Sequence, residues 1–211
     1  MGHIPIVIGM QALVHAGGKG TRMGTCSVEK PMQVVGGRPT VMRVVDALKA
    51  SAHIDDVFVS VNGNTPRTES YLREAGVNTI RTSGKSFVDD LNEAFEHMGS
   101  RFILTCPADI PLLSVCELDR FIGSFDFDAM QSMIALVSKE TTERFNVVPS
   151  YTVDHEGKEW VLSGITITNR ELVLKGEYLK ECYYTTDCKE FAINVNTQSE
   201  LSIAKRMVEG T

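Results

Sequence analysis

Residues 13–24 read LVHAGGKGTRMG, and residues 29–31 read EKP. The apolar run that ends at Val14 passes almost directly into a loop rich in glycine. Glycine has no Cβ, so the backbone of such a loop turns sharply and brings its N–H groups close to a ligand. Lys19 and Arg22 lie inside the loop, and Lys30 follows it. A strand that ends in a basic, glycine-rich loop predicts a phosphate-binding site.

Two other phosphate-binding motifs are excluded by spacing. The dinucleotide fingerprint is G-x-G-x-x-G, whereas Gly18, Gly20 and Gly24 leave a final gap that is one residue too long. The P-loop is G-x-x-x-x-G-K-[ST], and the segment 84–86 reads GKS. Thr79 stands where that motif needs its first glycine. The loop after residue 16 therefore remains the phosphate-binding candidate.

Composition indicates a globular protein without a nucleic-acid-binding surface. The chain has 211 residues, 43% of them apolar and 23% charged, with a net charge of −6. A chain of this length suits one domain, which we assign to residues 10–211, with residues 1–9 as an N-terminal extension. The acidic balance lacks the broad basic face that binds nucleic acid. A local basic loop in an acidic protein favours a small anionic ligand.

Cysteine usage and hydropathy indicate where in the cell the protein is located. The chain has five cysteines and no C-x-x-C pair, which favours reduced thiols and a cytoplasmic location. No segment approaches the roughly 20 consecutive apolar residues of a membrane-spanning helix. We expect a cytoplasmic protein with no membrane partner.

Strand-like and helix-like patterns alternate along most of the chain. The predicted strands cover residues 10–15, 57–61, 77–81, 102–106, 130–137, 146–153 and 160–167. The predicted helices cover residues 39–52, 68–75 and 87–98, with further helices beginning after Ser114 and Thr197, each in an S/T-x-x-E capping box. We expect residues 140–158 to form a flap or a strand excursion near the site. Alternation of this kind predicts an α/β fold, a mainly parallel sheet with helices on both faces, and ligands at the carboxyl ends of its strands.

Segments 16–24 and 29–31 together resemble the A-G-G-x-G-T-R-M-G…E-K-P signature of nucleotidyltransferases, which move a nucleoside monophosphate from an NTP to an acceptor. That resemblance implies that the loop holds the triphosphate and that Arg22 clamps it through its two-pronged guanidinium. It also implies that Lys30 acts on the α-phosphate as pyrophosphate leaves. The Pro31 that follows Lys30 favours a fixed, extended backbone there.

Asp109 is the candidate metal ligand, since it lies just after the apolar strand 102–106. Mg²⁺ commonly takes only one or two protein carboxylates and keeps phosphate oxygens and water as further ligands. Residues 191–197 are expected to end a strand and to begin a capped helix. Asn194 and Asn196 share a face if this segment is extended, so either amide is a candidate second ligand. A turn role for Asp109 and a capping role for Asn196 remain alternatives. No second carboxylate presents itself for the metal.

The small polar segment 82–86 is the candidate for base recognition, with the segment 62–66 as a possible addition; capping of the following helix is the alternative role for residues 82–86. The predicted nucleotide-binding residues are Ala16, Gly17, Gly18, Lys19, Gly20, Thr21, Arg22, Met23, Lys30, Thr82, Ser83, Gly84 and Lys85.

Further blocks resemble one family more narrowly, the archaeal-type GTP:adenosylcobinamide-phosphate guanylyltransferases, which are related to the molybdenum-cofactor guanylyltransferases. These blocks are NTPRT at 64–68, TSGK at 82–85, DLNE at 90–93, SGI at 163–165 and INVNT at 193–197. The resemblance implies a three-layer α/β/α sandwich of the Rossmann-like, nucleotide-diphospho-sugar-transferase type. It also implies Mg²⁺-dependent transfer of GMP from GTP to adenosylcobinamide phosphate, in cobalamin biosynthesis. Gly164, in the fourth block, is a candidate substrate contact.

Two other functions remain open. The same chemistry could serve a molybdenum-cofactor precursor or a sugar or polyol phosphate, and a non-catalytic nucleotide-binding regulator could keep the pocket without turnover. The retained Arg22, Lys30 and Asp109 argue against the regulator. A homodimer is possible through apolar residues at 147, 148, 151 and 153.

Overall fold

The computed structural model describes residues 9–24 and 28–210. Most of the expected N-terminal extension, together with Cys26, falls outside these residues. The boundary between the extension and the domain therefore stays a prediction.

An eight-stranded sheet forms the centre of the molecule, with strand order β10-β7-β9-β6-β1-β4-β5 and β8 paired to β9. Its strands are β1 (Met10–His15), β4 (Ile54–Val61), β5 (Asn78–Arg81), β6 (Phe102–Pro107), β7 (Ser132–Ser138), β8 (Thr152–His155), β9 (Lys158–Asn169) and β10 (Glu181–Thr186). Strands β5, β4, β1 and β6 run parallel, as does the pair β10 and β7, whereas β9 runs antiparallel to β6, β7 and β8. Two further strands of two residues each, β2 (Val34–Val35) and β3 (Arg38–Pro39), pair antiparallel in a separate hairpin.

Helices cover both faces of this sheet. They are α1 (Thr40–Lys49), α2 (Pro66–Glu74), α3 (Phe87–Glu96), α4 (Val115–Gly123), α5 (Lys139–Arg144), α6 (Arg170–Leu174), α7 (Lys189–Ala192) and α8 (Gln198–Glu209). The hydroxyls of Ser114 and Thr197 cap α4 and α8, as the capping boxes predicted, and Ser86 caps α3. The α/β sandwich with a mainly parallel sheet is therefore confirmed.

The alternation of β1 separates two apolar layers. Leu13 packs with Ile80, Phe95 and Ile103 under α3, and the partly buried Val173 of α6 joins them. Ala12 and Val14 point the other way, into the larger cluster that includes residues of α1, α2, α4 and α8. Alternate residues of a strand face opposite sides of a sheet, so both faces of this central strand are covered.

Three sequence predictions are wrong in this region of the fold. Residues 146–153 were expected to form one strand, but only Thr152–His155 is a strand, and Asn146 has a positive φ of 53° that breaks any extension. Residues 140–144 of the expected flap belong to helix α5. The segment before Asn194 was expected to end a strand, whereas it follows helix α7.

Strand β10 and the short helices α6 and α7 were not predicted. In the α3 segment, Phe87 and Val88 were expected on the apolar side, yet they are 64% and 62% exposed. No helix in the described residues is both long enough and apolar enough to cross a membrane.

Candidate active site

The predicted functional segments meet at one edge of the sheet. The glycine-rich loop follows β1, and Asp109 lies just beyond β6, the strand that pairs with β1. Asn62 follows β4, and the segment 82–86 follows β5. These four strands are parallel, so their carboxyl ends bring the segments together at the edge where ligands of α/β sheets bind.

Five side chains from distant parts of the sequence form a single polar network. The Lys30 ammonium forms an ion pair with the Asp109 carboxylate and donates a hydrogen bond of 2.7 Å to Asn196 Oδ1. Arg22 donates to the same oxygen at 3.0 Å and to Ser150 Oγ at 3.0 Å. Three of the predicted catalytic residues, Arg22, Lys30 and Asp109, are thus brought together, and Asn196 joins them.

Neighbouring buried residues hold Asp109 and Asn196 of this network in place. The Asp109 carbonyl accepts from Val195 N–H at 2.7 Å, and Asn194 Nδ2 lies 3.4 Å from Asp109 Oδ1. Glu200, which is 1% exposed, accepts from the N–H of Asn196 at 2.8 Å. A buried carboxylate that accepts several hydrogen bonds fixes its partners firmly. Glu200 therefore holds Asn196 in place at the edge of the site.

Glu29 anchors the Glu-Lys-Pro segment to helix α2. Its carboxylate accepts from the N–H groups of Arg67 and Thr68 at 2.9 and 2.7 Å, and from the Thr68 hydroxyl at 2.6 Å. These N–H groups belong to the first turn of α2, where backbone donors lack intrahelical partners and a negative charge is favoured. The residue before Lys30 is therefore fixed to a helix.

A cleft of about 630 Å³ lies between the glycine-rich loop and the segment 28–30. Gly20 and Gly24 have φ values of 62° and 75°, so the loop uses conformations that favour glycine. The residues that line the cleft include Gly18, Lys19, Gly20, Thr21, Met23, Gly24, Glu29 and Lys30. Its volume and its basic lining suit a triphosphate.

A second cleft of about 260 Å³ shares Gly18 and Lys19 with the first and extends toward α3. Asp90 organises it, accepting from Gly84 N–H at 2.7 Å and from Asn62 Nδ2 at 3.0 Å. A Cβ on Gly17 would lie 2.3 Å from Asn62 Nδ2, so this close approach requires glycine.

His15 lies at the end of β1 and lines the same cleft. Its Nδ1 is 3.5 Å from Ser60 Oγ, and its ring centroid is 4.9 Å from that of Phe87. Burial lowers the pKa of His15 to about 4, although the negative charge of Asp90 acts in the opposite direction. The imidazole is therefore neutral near pH 7.

Not every predicted nucleotide contact faces a cleft. Gly84 and Lys85 line the second cleft, but Thr82 is buried and its hydroxyl donates to the Val61 carbonyl at 3.3 Å. The N–H of Ser83 donates a hydrogen bond of 2.6 Å to the Glu93 carboxylate. Ala16 is 1% exposed and pairs with the neighbouring strand through its N–H. These three residues build the loops around the clefts.

Gly164 occupies an irregularity of strand β9 beside the site. The pairing of β9 with β7 shifts register there, Gly164 has a φ of 83°, and a Cβ on it would lie 3.1 Å from Pro107 Cγ. Gly164 therefore packs against the end of β6, close in sequence to Asp109. Its substrate contact stays a prediction.

Several residues of the site were not predicted as functional. Ser150, which accepts from Arg22, lies in a segment that was expected to be a strand. Phe87 was treated only as the first residue of a predicted helix, and Glu29 only as part of the E-K-P motif. No local pattern could have predicted the contact of Glu29 with α2, because its partners are 38 and 39 residues away.

Asp109, Asn194 and Asn196 offer oxygen donors of the kind that Mg²⁺ prefers. No group of three or more His, Cys, Asp or Glu side chains suited to a metal occurs within the described ranges 9–24 and 28–210. A single carboxylate with amide oxygens fits an ion that arrives with phosphate ligands, rather than one held by a complete protein cage.

This arrangement of a basic glycine-rich loop opposite an aspartate at the next strand end is that of a nucleotidyltransferase. The chain belongs to the MobA-like NTP transferase domain family, which its sequence matches over residues 12–190. It is also similar to an adenosylcobinamide-phosphate guanylyltransferase from Methanocaldococcus jannaschii. The two are 29% identical over 210 residues, which is 95% of this chain and 98% of that protein.

Two further similarities are more distant. A 2-C-methyl-D-erythritol 4-phosphate cytidylyltransferase from Dechloromonas aromatica is 26% identical over 186 residues, covering 83% of this chain and 80% of its own. The solved structure of a hypothetical transferase from Thermus thermophilus superposes with a TM-score of 0.71 at 17% identity, over 92% of this chain and 99% of that one. The structural match supports the fold alone.

Proposed function

We propose that this protein transfers GMP from GTP to adenosylcobinamide phosphate and releases pyrophosphate. The observation that carries the transferase chemistry is the network of Arg22, Lys30 and Asp109 beside a phosphate-sized cleft. The acceptor is inferred from the similarity to the M. jannaschii guanylyltransferase, which extends over nearly the whole of both chains.

In this reaction an oxygen of the acceptor phosphate forms a bond to the α-phosphorus of GTP, and the bond from that phosphorus to the β-bridging oxygen breaks. The glycine-rich loop holds the triphosphate through its N–H groups, with the Arg22 guanidinium as a clamp. Lys30 is placed to stabilise negative charge that develops around the α-phosphate as pyrophosphate leaves.

We further propose that Asp109 anchors Mg²⁺, with an amide oxygen of Asn194 or Asn196 as the second protein ligand. The ion would neutralise the charge of the triphosphate. Because Lys30 is paired with Asp109, binding of a metal–nucleotide complex requires Lys30 to exchange that carboxylate for phosphate oxygens. Lys30 lines the phosphate cleft and also contacts Asp109, so its ammonium is close to both partners of this exchange.

Base recognition is assigned to the second cleft. Asp90 keeps acceptor capacity on its carboxylate after bonding Gly84 and Asn62, since each carboxylate oxygen has two lone pairs. Guanine presents adjacent N–H donors that such an acceptor matches. A base without those donors would leave this remaining acceptor capacity of Asp90 unused, so such a base should bind less tightly.

The test is to incubate the protein with GTP and MgCl₂ and measure pyrophosphate release with adenosylcobinamide phosphate, a molybdopterin precursor or a sugar phosphate as acceptor. We expect release with the corrinoid and GTP, and far less with ATP, CTP or UTP. Nucleotide binding without pyrophosphate release for any acceptor would support the regulator instead.

Cytidylyl transfer to a polyol phosphate is the second candidate, because the D. aromatica relative carries that activity in its name. The same assay with CTP and 2-C-methyl-D-erythritol 4-phosphate separates the two. A cytoplasmic location is part of the proposal, and it is supported by the free thiols of Cys106, Cys116, Cys182 and Cys188.

A further inference from the structure

His15, which lines the cleft that extends toward α3, has a ring nitrogen whose hydrogen-bonding capacity is unused. His15 Nε2 is shielded from solvent and has no hydrogen-bond partner among the residues that the structure describes. The cleft volume of about 260 Å³ is below the roughly 300–1,000 Å³ of pockets for whole drug-sized ligands. It therefore suits one part of a ligand that continues elsewhere, as it does through Gly18 and Lys19 into the phosphate cleft.

The contacts of His15 leave both neutral tautomers of its ring available. Ser60 Oγ is 3.5 Å from Nδ1 and 3.4 Å from the Val14 carbonyl, so both contacts of this hydroxyl are weak. Neither contact fixes the tautomer firmly. Nε2 is therefore able to serve as donor or as acceptor, whichever a partner requires.

We propose that His15 is a specificity-determining residue of this protein, whose Nε2 hydrogen-bonds the edge of the guanine base in the cleft beside Asp90. An unpaired, shielded imidazole nitrogen is costly unless a partner arrives, so the bond is worth most when ligand is bound. This inference rests on the proposed function, because it assumes that a nucleotide places its base in this cleft.

Phe87 completes the same corner of the cleft. It is the first residue of α3, its ring contacts that of His15, and 64% of it is exposed. Its neighbour Val88 is 62% exposed but does not line the cleft. An exposed aromatic ring at the rim of a base-sized cleft offers a stacking surface. His15 would read the edge of the base while Phe87 stacks on its face.

The experiment compares a complete nucleotide with a ligand that has no base. GTP and inorganic tripolyphosphate are titrated calorimetrically, with Mg²⁺ present, into the wild type, His15→Leu and Phe87→Ala. We expect His15→Leu to weaken GTP about tenfold while tripolyphosphate affinity stays unchanged. Phe87→Ala should also weaken GTP selectively. The matched controls are His97→Leu, an exposed position just beyond the other end of α3, and Val88→Ala.

A spectroscopic measurement on the wild type keeps the proposal testable even if His15→Leu does not fold. The ¹⁵N resonance of His15 Nε2 should move when GTP is added and stay in place when tripolyphosphate is added. Equal movement with both ligands, or equal loss of both affinities in His15→Leu, would mean that His15 acts on the loop rather than on the base, and the proposal would be wrong. Unchanged GTP affinity in the folded variant would overturn it as well.

Failure of the proposed function gives a different pattern. If the wild type binds CTP or ATP more tightly than GTP, the guanylyl assignment fails, and the same comparison is made between that nucleotide and tripolyphosphate. A selective loss in His15→Leu would then still establish base reading by His15, although not of guanine.

Discussion

Lys30 and Asp109, which are 79 residues apart in the sequence, form an ion pair at the carboxyl edge of the sheet. Their side chains are only 18% and 12% exposed, so this contact is screened less by solvent than a surface ion pair. Asn196 shares the ammonium with Asp109. The main cation and the main anion of the site thus hold each other in place before ligands bind.

Asp109→Asn should nearly abolish turnover while leaving the fold intact. The amide keeps the shape and a hydrogen bond to Lys30, but it removes the charge that would anchor Mg²⁺. We expect pyrophosphate release to fall by about 10²–10³-fold or more, with a melting temperature close to that of the wild type. Asp128→Asn, at an exposed position, is the control. Full Mg²⁺-dependent activity in Asp109→Asn would show that Asp109 is a turn residue and not the metal ligand.

The sequence predicted that Lys30 and Asp109 belong to one site because the carboxyl ends of parallel strands lie at the same edge of an α/β sheet. Apolar runs identified β1 and β6, and the alternation with helices made them parallel, so polar residues after each strand had to share an edge. The helix caps could also be predicted from the sequence, because the hydroxyls of Ser114 and Thr197 accept hydrogen bonds within the first turn of the helix that each one caps.

The segment around Ser150 could not be predicted for the opposite reason. Val147 and Val148 look like strand residues, but one is 6% and the other 69% exposed in an irregular chain. The N–H of Val148 is held by Glu200 at 3.3 Å, and Ser150 is held by Arg22. Because those partners are 52 and 128 residues away, no pattern in the local sequence could predict these contacts. Since Val147 packs in the core, it is also unavailable to the dimer surface for which it was considered.

Lys30→Ala should lower kcat more than it raises the KM for GTP. Lys30 is placed to act on charge that develops as pyrophosphate leaves, and an interaction made mainly in the transition state affects turnover. A loss of about 10²–10³-fold in kcat is expected. Steady-state kinetics provide the measurement, with Lys205→Ala on the exposed face of α8 as the control. A higher KM with normal kcat would show that Lys30 only binds the ground state.

Arg22→Ala should reduce nucleotide affinity. The exposed guanidinium is held by Asn196 and Ser150, and the Asn196 oxygen that it bonds is shared with Lys30, a residue of the phosphate cleft. A charge-assisted hydrogen bond to phosphate contributes about 1.5–3 kcal/mol, which corresponds to roughly 10–150-fold in Kd. Titration of GTP and tripolyphosphate should show the same loss, because Arg22 would contact only phosphate. A loss confined to GTP would assign Arg22 to another part of the nucleotide.

Glu29→Ala should impair turnover through Lys30 rather than directly. The substitution removes three hydrogen bonds that fix residue 29 to the first turn of α2, so Lys30 loses its rigid support. We expect kcat to fall about tenfold with a smaller change in KM. In a double-mutant cycle the effect should disappear in a Lys30→Ala background. Glu74→Ala, at the other end of α2, controls for loss of a surface carboxylate, and additive effects would refute the coupling.

The buried imidazole of His15 should make the protein less stable as the pH falls. Its folded-state pKa of about 4 lies below the ordinary value of 6.5. Between these two values the unfolded chain therefore binds a proton that the folded chain does not, and the free energy of unfolding decreases as the pH decreases. Above pH 7 the group contributes no pH dependence. The full loss, reached near pH 4, is at most roughly 3 kcal/mol.

Urea unfolding of the wild type and His15→Leu at pH 7.5, 6.0 and 5.0 provides the measurement. Carboxylates and the other histidines titrate in both proteins, so the difference between the two stability curves isolates His15. We expect that difference to shift in favour of His15→Leu by about 2 kcal/mol between pH 7.5 and 5.0. Asp90 favours the protonated ring, so Asp90→Asn should lower the folded-state pKa of His15 further and extend the loss of stability to lower pH in a chain that keeps His15. Parallel curves for the wild type and His15→Leu would mean that the imidazole protonates as readily in the folded protein as in the unfolded chain.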